Sequence, residues 1–186
     1  IGNLGDLSPR ALAVLREADL VAAEDTRHTR RLFAHHGVDT PLTAYHEHSD
    51  AAAADRLCDR VAAGEAVALV SDAGTPLVSD PGYRLVRLAQ DRCLAVVPIP
   101  GPCAAITALS AAGLPSDRFR FEGFLPAKAG PRAARLAALA DERATLVFYE
   151  APHRVLDTLE ALLEAFGAGR EAVLARELSK AFETLQ

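Results

Sequence analysis

Four short segments concentrate the side chains that could do chemistry: Ala23-Glu-Asp-Thr-Arg-His28, Ser71-Asp-Ala-Gly-Thr-Pro76, Pro100-Gly-Pro-Cys103 and Glu150-Ala-Pro-His-Arg154. Carboxylates and imidazoles in them could exchange protons or organise ion pairs, and the arginines could hold phosphate. Glycine and proline there let main chain approach a ligand and fix its direction. Pro100-Gly-Pro-Cys103 leads into a run of small residues that reads as a helix, whose first amides suit a carboxylate or phosphate. Taken singly, each segment also reads as an ordinary turn. Arg27, Arg30 and Arg31 read equally as a phosphate clamp or a solvated helix face, and Lys128, Arg132 and Arg135 as surface decoration. His46 and His48 would share a face of an extended chain, but no third ligand accompanies them, so no metal site is expected. Neither a Gly-x-Gly-x-x-Gly nor a phosphate-loop motif is present.

These segments gain meaning from the elements that carry them. Short apolar runs alternate with longer amphipathic ones, which predicts an α/β protein with a largely parallel sheet. Ser8-Pro9 predicts a helix start, and the helix should run to about residue 17. A strand over 19–23 would deliver Glu24 and Asp25 at its carboxyl end. Helices are predicted over 29–36 and 51–63, stopping at Gly37 and Gly64. Residues 66–70 read as a strand buried on both faces, followed by a turn-rich loop and a helix reaching residue 90. A further strand is predicted over 94–97 and a small-residue helix over 103–112. Leu114-Pro-Ser-Asp117 reads as a linker between an N-terminal α/β domain (1–113) and a C-terminal one (119–186), with 114–118 between them. In the second domain the pattern predicts strands over 119–124, 145–149 and 172–176, and helices over 132–140 and 153–166. The four chemical segments then follow strands, and ligands of open α/β sheets bind at the carboxyl ends of strands.

Composition narrows the classes. The 186 residues are half apolar, carry a formal net charge of −5 and include neither Met nor Trp. That balance excludes a globally basic nucleic-acid binder while leaving room for a local basic patch. Three cysteines without Cys-x-x-Cys spacing favour a reducing, cytoplasmic setting over a disulfide framework. No apolar run approaches the roughly 20 residues that span a membrane. A chain that opens on Ile1 and stops after Leu185-Gln186 reads as a piece cut within elements. Composition and spacing alone lead to an α/β enzyme with a nucleotide-like ligand and phosphate contacts.

Longer motifs go further. Ile1-Gly-Asn-Leu-Gly-Asp6, Ala23-Glu-Asp-Thr-Arg-His-Thr29, Leu69-Val-Ser-Asp-Ala-Gly-Thr-Pro76, Asp80-Pro-Gly82 and Pro98-Ile-Pro-Gly-Pro-Cys-Ala-Ala-Ile-Thr-Ala108 occur in order. Glu122-Gly-Phe-Leu-Pro-Ala-Lys128, Phe148-Tyr-Glu150 with His153-Arg154, and Ala175-Arg-Glu-Leu-Ser-Lys180 follow. On these the chain resembles the tetrapyrrole (corrin/porphyrin) methylases, in particular the bacterial enzymes that methylate a cytidine ribose 2′-hydroxyl of 16S ribosomal RNA. The resemblance implies two α/β domains with S-adenosylmethionine in the cleft between them. It also implies that a first strand before Ile1 and the remainder of the second domain are missing from this chain. Implied cofactor contacts are Asp72, Ala73, Gly74, Thr75 (where corrin methylases have Asp), Pro76, Pro100, Gly101, Cys103, Ala104, Tyr149 and Glu150. A neutral ribose hydroxyl is a poor nucleophile, so a base is sought among Asp25, Glu150, His153, Glu177 and Lys180, with Asp25, Glu150 and Lys180 the catalytic choices. Lys180 would need burial or a cationic neighbour to serve. Arg27, Arg30, His153, Arg154 and Arg176 are the expected substrate contacts. The implied partner is 16S ribosomal RNA within the small ribosomal subunit, and the implied assembly a cytoplasmic homodimer. The alternatives are methylation of a tetrapyrrole precursor or other small acceptor on the same fold, and a non-catalytic S-adenosylmethionine-binding module.

Overall fold

Hydrophobic patterning and caps determine where the elements begin and end. The computed structural model describes residues 1–46 and 51–186, so His48 of the considered histidine pair lies outside the described residues. The chain packs as two compact units, Ile1–Cys103 and Ala104–Gln186.

In the first unit, helix α1 (Pro9–Glu17) starts where the sequence predicts, with the Ser8 side chain accepting from the Ala11 amide at 3.1 Å. Strand β1 (Leu20–Ala23) follows, then α2 (Thr26–His36), β2 (Leu42–Ala44), α3 (Ala51–Ala62), β3 (Val67–Val70) and α4 (Tyr83–Asp91). The strands form a parallel sheet in the order β2-β1-β3. Every residue of the central strand is buried, and its alternation splits the core. Leu20 and Ala22 pack with Ala54, Leu57, Cys58 and Leu85 from α3 and α4, while Val21 packs with Leu15 of α1 and Phe33 of α2. A helix layer thus covers each face, as parallel sheets require.

Three elements of this unit depart from the sequence reading. Helix α2 begins at Thr26 rather than residue 29, because Asp25 is its N-cap and accepts from the Arg27 amide at 2.8 Å. It ends as predicted on Gly37, whose φ of 60° is left-handed. Strand β2 was not expected. Its three residues are too few to show an alternating pattern, and parallel pairing with β1 makes them a strand. Conversely, the strand predicted over 94–97 is absent. Those residues pair with no neighbouring strand, and Val97 is 65% exposed. An apolar run alone does not make a strand without a ladder partner.

The second unit opens with α5 (Ala104–Ala111), which packs on β5 (Thr145–Tyr149). The division between units therefore falls before this helix, ahead of the 114–118 segment read as the linker. Strand β4 (Phe119–Phe124) pairs in parallel with β5, with a register shift between Phe121 and Gly123. Helices α6 (Ala129–Ala137) and α7 (Val155–Phe166) pack against each other, α7 being preceded by a short 3-10 turn at Pro152–Arg154. The sequence places the first of these over 132–140. It starts earlier because Pro131 is tolerated within a first turn. Arg132, read as surface, is only 7% exposed: it shares the α6 face of the fully buried Leu136, and its guanidinium stands 4.0 Å from Asp157. The strand predicted over 172–176 shrinks to β6 (Ala175–Arg176), antiparallel to β7 (Thr184–Leu185).

Candidate functional site

In the first unit the carboxyl ends of β1 and β3 release two loops that brace each other. The Asp25 amide donates to Asp72 Oδ1 at 2.9 Å, and the Asp72 amide donates to Glu24 Oε2 at 3.3 Å. Adjacent parallel strands make this reciprocal contact available, since Ala23 and Val70 are in register immediately before the loops. Asp25 is further held by Arg27, whose Nε and a terminal nitrogen donate to its two oxygens at 3.1 and 2.8 Å. That side-chain pairing, with the helix-cap amides, lowers the Asp25 carboxyl to about 2. A carboxylate held so firmly is a weak base, and Arg27 is correspondingly occupied. Arg30 projects from α2 and is exposed.

The loop after β3 carries the residues singled out as Asp72, Ala73, Gly74, Thr75 and Pro76. Thr75 Oγ1 donates to the Pro102 carbonyl at 2.8 Å, which ties this loop to the Pro100, Gly101 and Cys103 segment. Gly74 has φ +88°, and a Cβ there would lie 3.5 Å from Ile1 Cγ2 and 3.7 Å from the Pro102 oxygen. The sequence brought these two segments to one list; a hydroxyl–carbonyl bond brings them together in space. Farther along, the chain turns tightly through Leu77, Ser79 and Gly82, all at positive φ.

Two carboxylates of this region escaped the sequence reading. Glu24 had no visible role until its bond to the Asp72 amide appeared. The Asp80 carboxyl is pushed above the usual carboxylate range chiefly by burial, with Glu24 and Asp72 adding to the rise and a hydrogen bond with Ser71 opposing it. Asp80-Pro81-Gly82 reads as a turn, and nothing in its spacing announces a half-buried acid. The folded chain holds this proton more tightly than the unfolded one. Its stabilising contribution is therefore complete below the unfolded value of about 4 and is lost as pH rises through the folded value. Asp80→Asn is expected to raise the first unit's melting midpoint at pH 7 by about 1–3 °C and to change it little near pH 3. Thermal scans at both pH values check this, and an earlier transition at pH 7 would contradict it.

In the second unit, Tyr149 and Glu150 stand at the end of β5. The Tyr149 hydroxyl accepts from the Ala105 amide at 3.1 Å, at the start of the helix that Ala104 opens. Its ring meets Phe121 and Phe124 edge-on, with centroids 4.9 and 5.6 Å away. Glu150 Oε1 accepts from the Ala151 amide at 2.8 Å, and Oε2 from Thr158 Oγ1 at 2.6 Å. Arg154 Nε lies 3.2 Å from Oε1 as an ion pair rather than an aligned hydrogen bond, and its terminal nitrogen donates to the Leu125 carbonyl at 2.7 Å. Thr158, one α7 turn beyond Arg154, was not foreseen. Both Glu150 oxygens are thus engaged, so this residue organises the strand end and Arg154 does likewise.

The remaining expected residues lie elsewhere on this unit. His153 is exposed in the 3-10 turn, and Arg176 is exposed on β6. Lys180 sits between β6 and β7, 40% exposed and 3.3 Å from Glu177. Glu177 and Ser179 adopt φ of 54° and 63°, a strained backbone of the kind found at functional loops. Among the described residues no group of His, Cys, Asp and Glu is placed to hold a metal ion.

Comparisons with known proteins show the family. A ribosomal RNA small subunit methyltransferase I from Pseudomonas aeruginosa is 63% identical over 186 residues, covering all of this chain and 66% of that protein. The corresponding protein of Xylella fastidiosa (strain Temecula1) is 57% identical over 185 residues, 68% of its length. The chain thus spans about two thirds of the length of these relatives. Among solved structures, the methyltransferase CobJ superposes with a TM-score of 0.68 over 96% of this chain and 78% of that one, at 20% identity. It shares the fold. The family model described as Tetrapyrrole (Corrin/Porphyrin) Methylases matches residues 1–186. With that match over its whole length, and with relatives this similar, the chain belongs to the tetrapyrrole methylase family, among the ribosomal RNA small subunit methyltransferases I.

Proposed function

We propose that this chain is the greater part of an enzyme that transfers a methyl group from S-adenosylmethionine to a cytidine ribose 2′-hydroxyl of 16S ribosomal RNA. The observation that carries the reading is the 63% identity, along every residue of the chain, to a protein named for methylating small-subunit ribosomal RNA. The residues of the first unit fit the cofactor. Small side chains and the left-handed Gly74 let main chain approach a ligand, and the carboxylates of Glu24, Asp72 and Asp80 favour a cation over a polyphosphate. Cofactor contacts are assigned to Asp72, Ala73, Gly74, Thr75, Pro76, Pro100, Gly101 and Cys103, and to Ala104, Tyr149 and Glu150 in the second unit.

When bound, S-adenosylmethionine supplies an electrophilic methyl group on a sulfonium sulfur; the protein's part is mainly positioning. Asp25 and Glu150 serve that end by holding loop and helix starts in place. Proton removal from the hydroxyl is assigned to Glu177, 43% exposed, with Lys180 beside it to support developing charge. His153 and Arg176, both exposed, are the RNA-side residues of the second unit, while Arg154 stays engaged with Glu150 at the strand end.

The same reading places the working protein in the cytoplasm, on the small ribosomal subunit, as a homodimer. Among the described residues no helix is long and apolar enough to cross a membrane. Nucleoside mass spectrometry tests the function in cells: deleting the gene should remove one 2′-O-methylcytidine from 16S ribosomal RNA, and reintroducing it should restore that nucleoside. An unchanged nucleoside content would overturn the reading.

A further inference from the structure

Helix α2 carries Arg27, Arg30 and Arg31 with His28, His35 and His36, and no carboxylate from Thr26 to His36, in a chain whose net charge is −5. A period of 3.6 residues sorts these side chains. Thr29 and Phe33 face the core, each 4% exposed. Arg27, His28, Arg30, Arg31 and His35 are all exposed, on the continuous arc opposite. Within that arc the arginines differ. Arg27 is folded back on Asp25 through both carboxylate oxygens. Arg30 and Arg31 make no ion pair among the described residues, so their guanidinium groups are available to an anionic partner. The imidazole of His36 faces the other way, toward the Leu4 carbonyl at 2.9 Å. The arc starts where β1 ends, beside the loop braced by Asp72.

We infer that this face of α2 holds the RNA phosphate backbone through Arg30 and Arg31, while Arg27 fixes the helix start. The inference rests on the ribosomal RNA reading of the chain and specifies where that substrate is gripped. Exposed guanidinium groups on a helix free of carboxylates match the charge of a phosphate backbone, and supply affinity without reading bases. An acidic protein needs such a local patch if RNA is its substrate.

The test compares the full chain with two double variants, Arg30→Gln/Arg31→Gln and Arg84→Gln/Arg87→Gln. The second removes the same charge from exposed positions of α4. Fluorescence anisotropy with end-labelled 16S ribosomal RNA is read over a series of KCl concentrations, and methyl transfer by the unaltered chain is measured in parallel. Losing two phosphate contacts is expected to weaken binding roughly tenfold near about 0.1 M KCl and to lower the slope of log K against log salt by about 1.5. The α4 variant should stay within about twofold of the unaltered chain. Equal loss in both variants, an unchanged slope in the α2 variant, or no RNA binding by the unaltered chain would overturn the inference. Methyl transfer to RNA with an indifferent α2 variant would sink this surface and leave the activity standing. An α2-dependent grip without any methyl transfer would do the reverse.

Discussion

Glu150→Ala is expected to destabilise the second unit by about 2–4 kcal/mol, because one truncation strands three groups in a largely buried setting. The carboxylate is 11% exposed and the Arg154 side chain 19%. Without it, the Thr158 hydroxyl and the Ala151 amide lose their acceptor, and the Arg154 guanidinium loses its counter-charge. Thr158 is 5% exposed, so water cannot readily replace the lost bond. Glu150→Gln keeps an acceptor but not the ion pair, and should cost about half as much. Urea unfolding followed by circular dichroism measures both. A loss below about 1 kcal/mol for the alanine variant would show that Glu150 is a surface acid rather than an organiser of the strand end.

Gly82→Ala should destabilise the first unit by about 2–4 kcal/mol, for two reasons that add. The residue sits at φ 133°, a conformation nearly closed to residues with a Cβ. The added methyl would also lie 2.7 Å from Leu69 Cδ2 and 2.8 Å from Leu77 Cδ1. Leu69 can turn only at the expense of β3 packing, and Leu77 is itself held at positive φ. The exposed side chain of Leu77 can give way in part, and the remaining strain falls on the turn that follows residues 72–76. Affinity for S-adenosylmethionine should fall along with stability, by about tenfold in calorimetric titration if the loop shifts by an ångström or so. Unaltered stability in the Gly82→Ala variant would mean that this turn is free to relax and places nothing.

How much of this was legible beforehand divides along physical lines. Elements with strong local signals were read well: Ser8-Pro9 and Gly37 bound their helices as expected, and 119–124 and 145–149 are strands residue for residue. Elements that depend on partners were not. Residues 42–44 become a strand because β1 lies beside them, whereas the more apolar 94–97 do not, for want of a ladder. The chemical segments were visible as groups of residue types after strands. Their connections were not: Glu24 to the Asp72 amide and Thr75 to the Pro102 carbonyl span 48 and 27 residues of sequence, beyond any periodicity. Arg27 illustrates the remaining gap. Its charge and position suggest a phosphate ligand, yet the helix cap two residues earlier claims it.

Methyl transfer itself remains the most direct test of the central claim. The full chain is incubated with methyl-labelled S-adenosylmethionine and small ribosomal subunits from cells lacking the modification, and the RNA is then hydrolysed in alkali. Label confined to one cytidine, in a dinucleotide resistant to alkaline cleavage, is the expected result. S-adenosylmethionine bound without label in the RNA, or label on a base instead of a ribose, would contradict it.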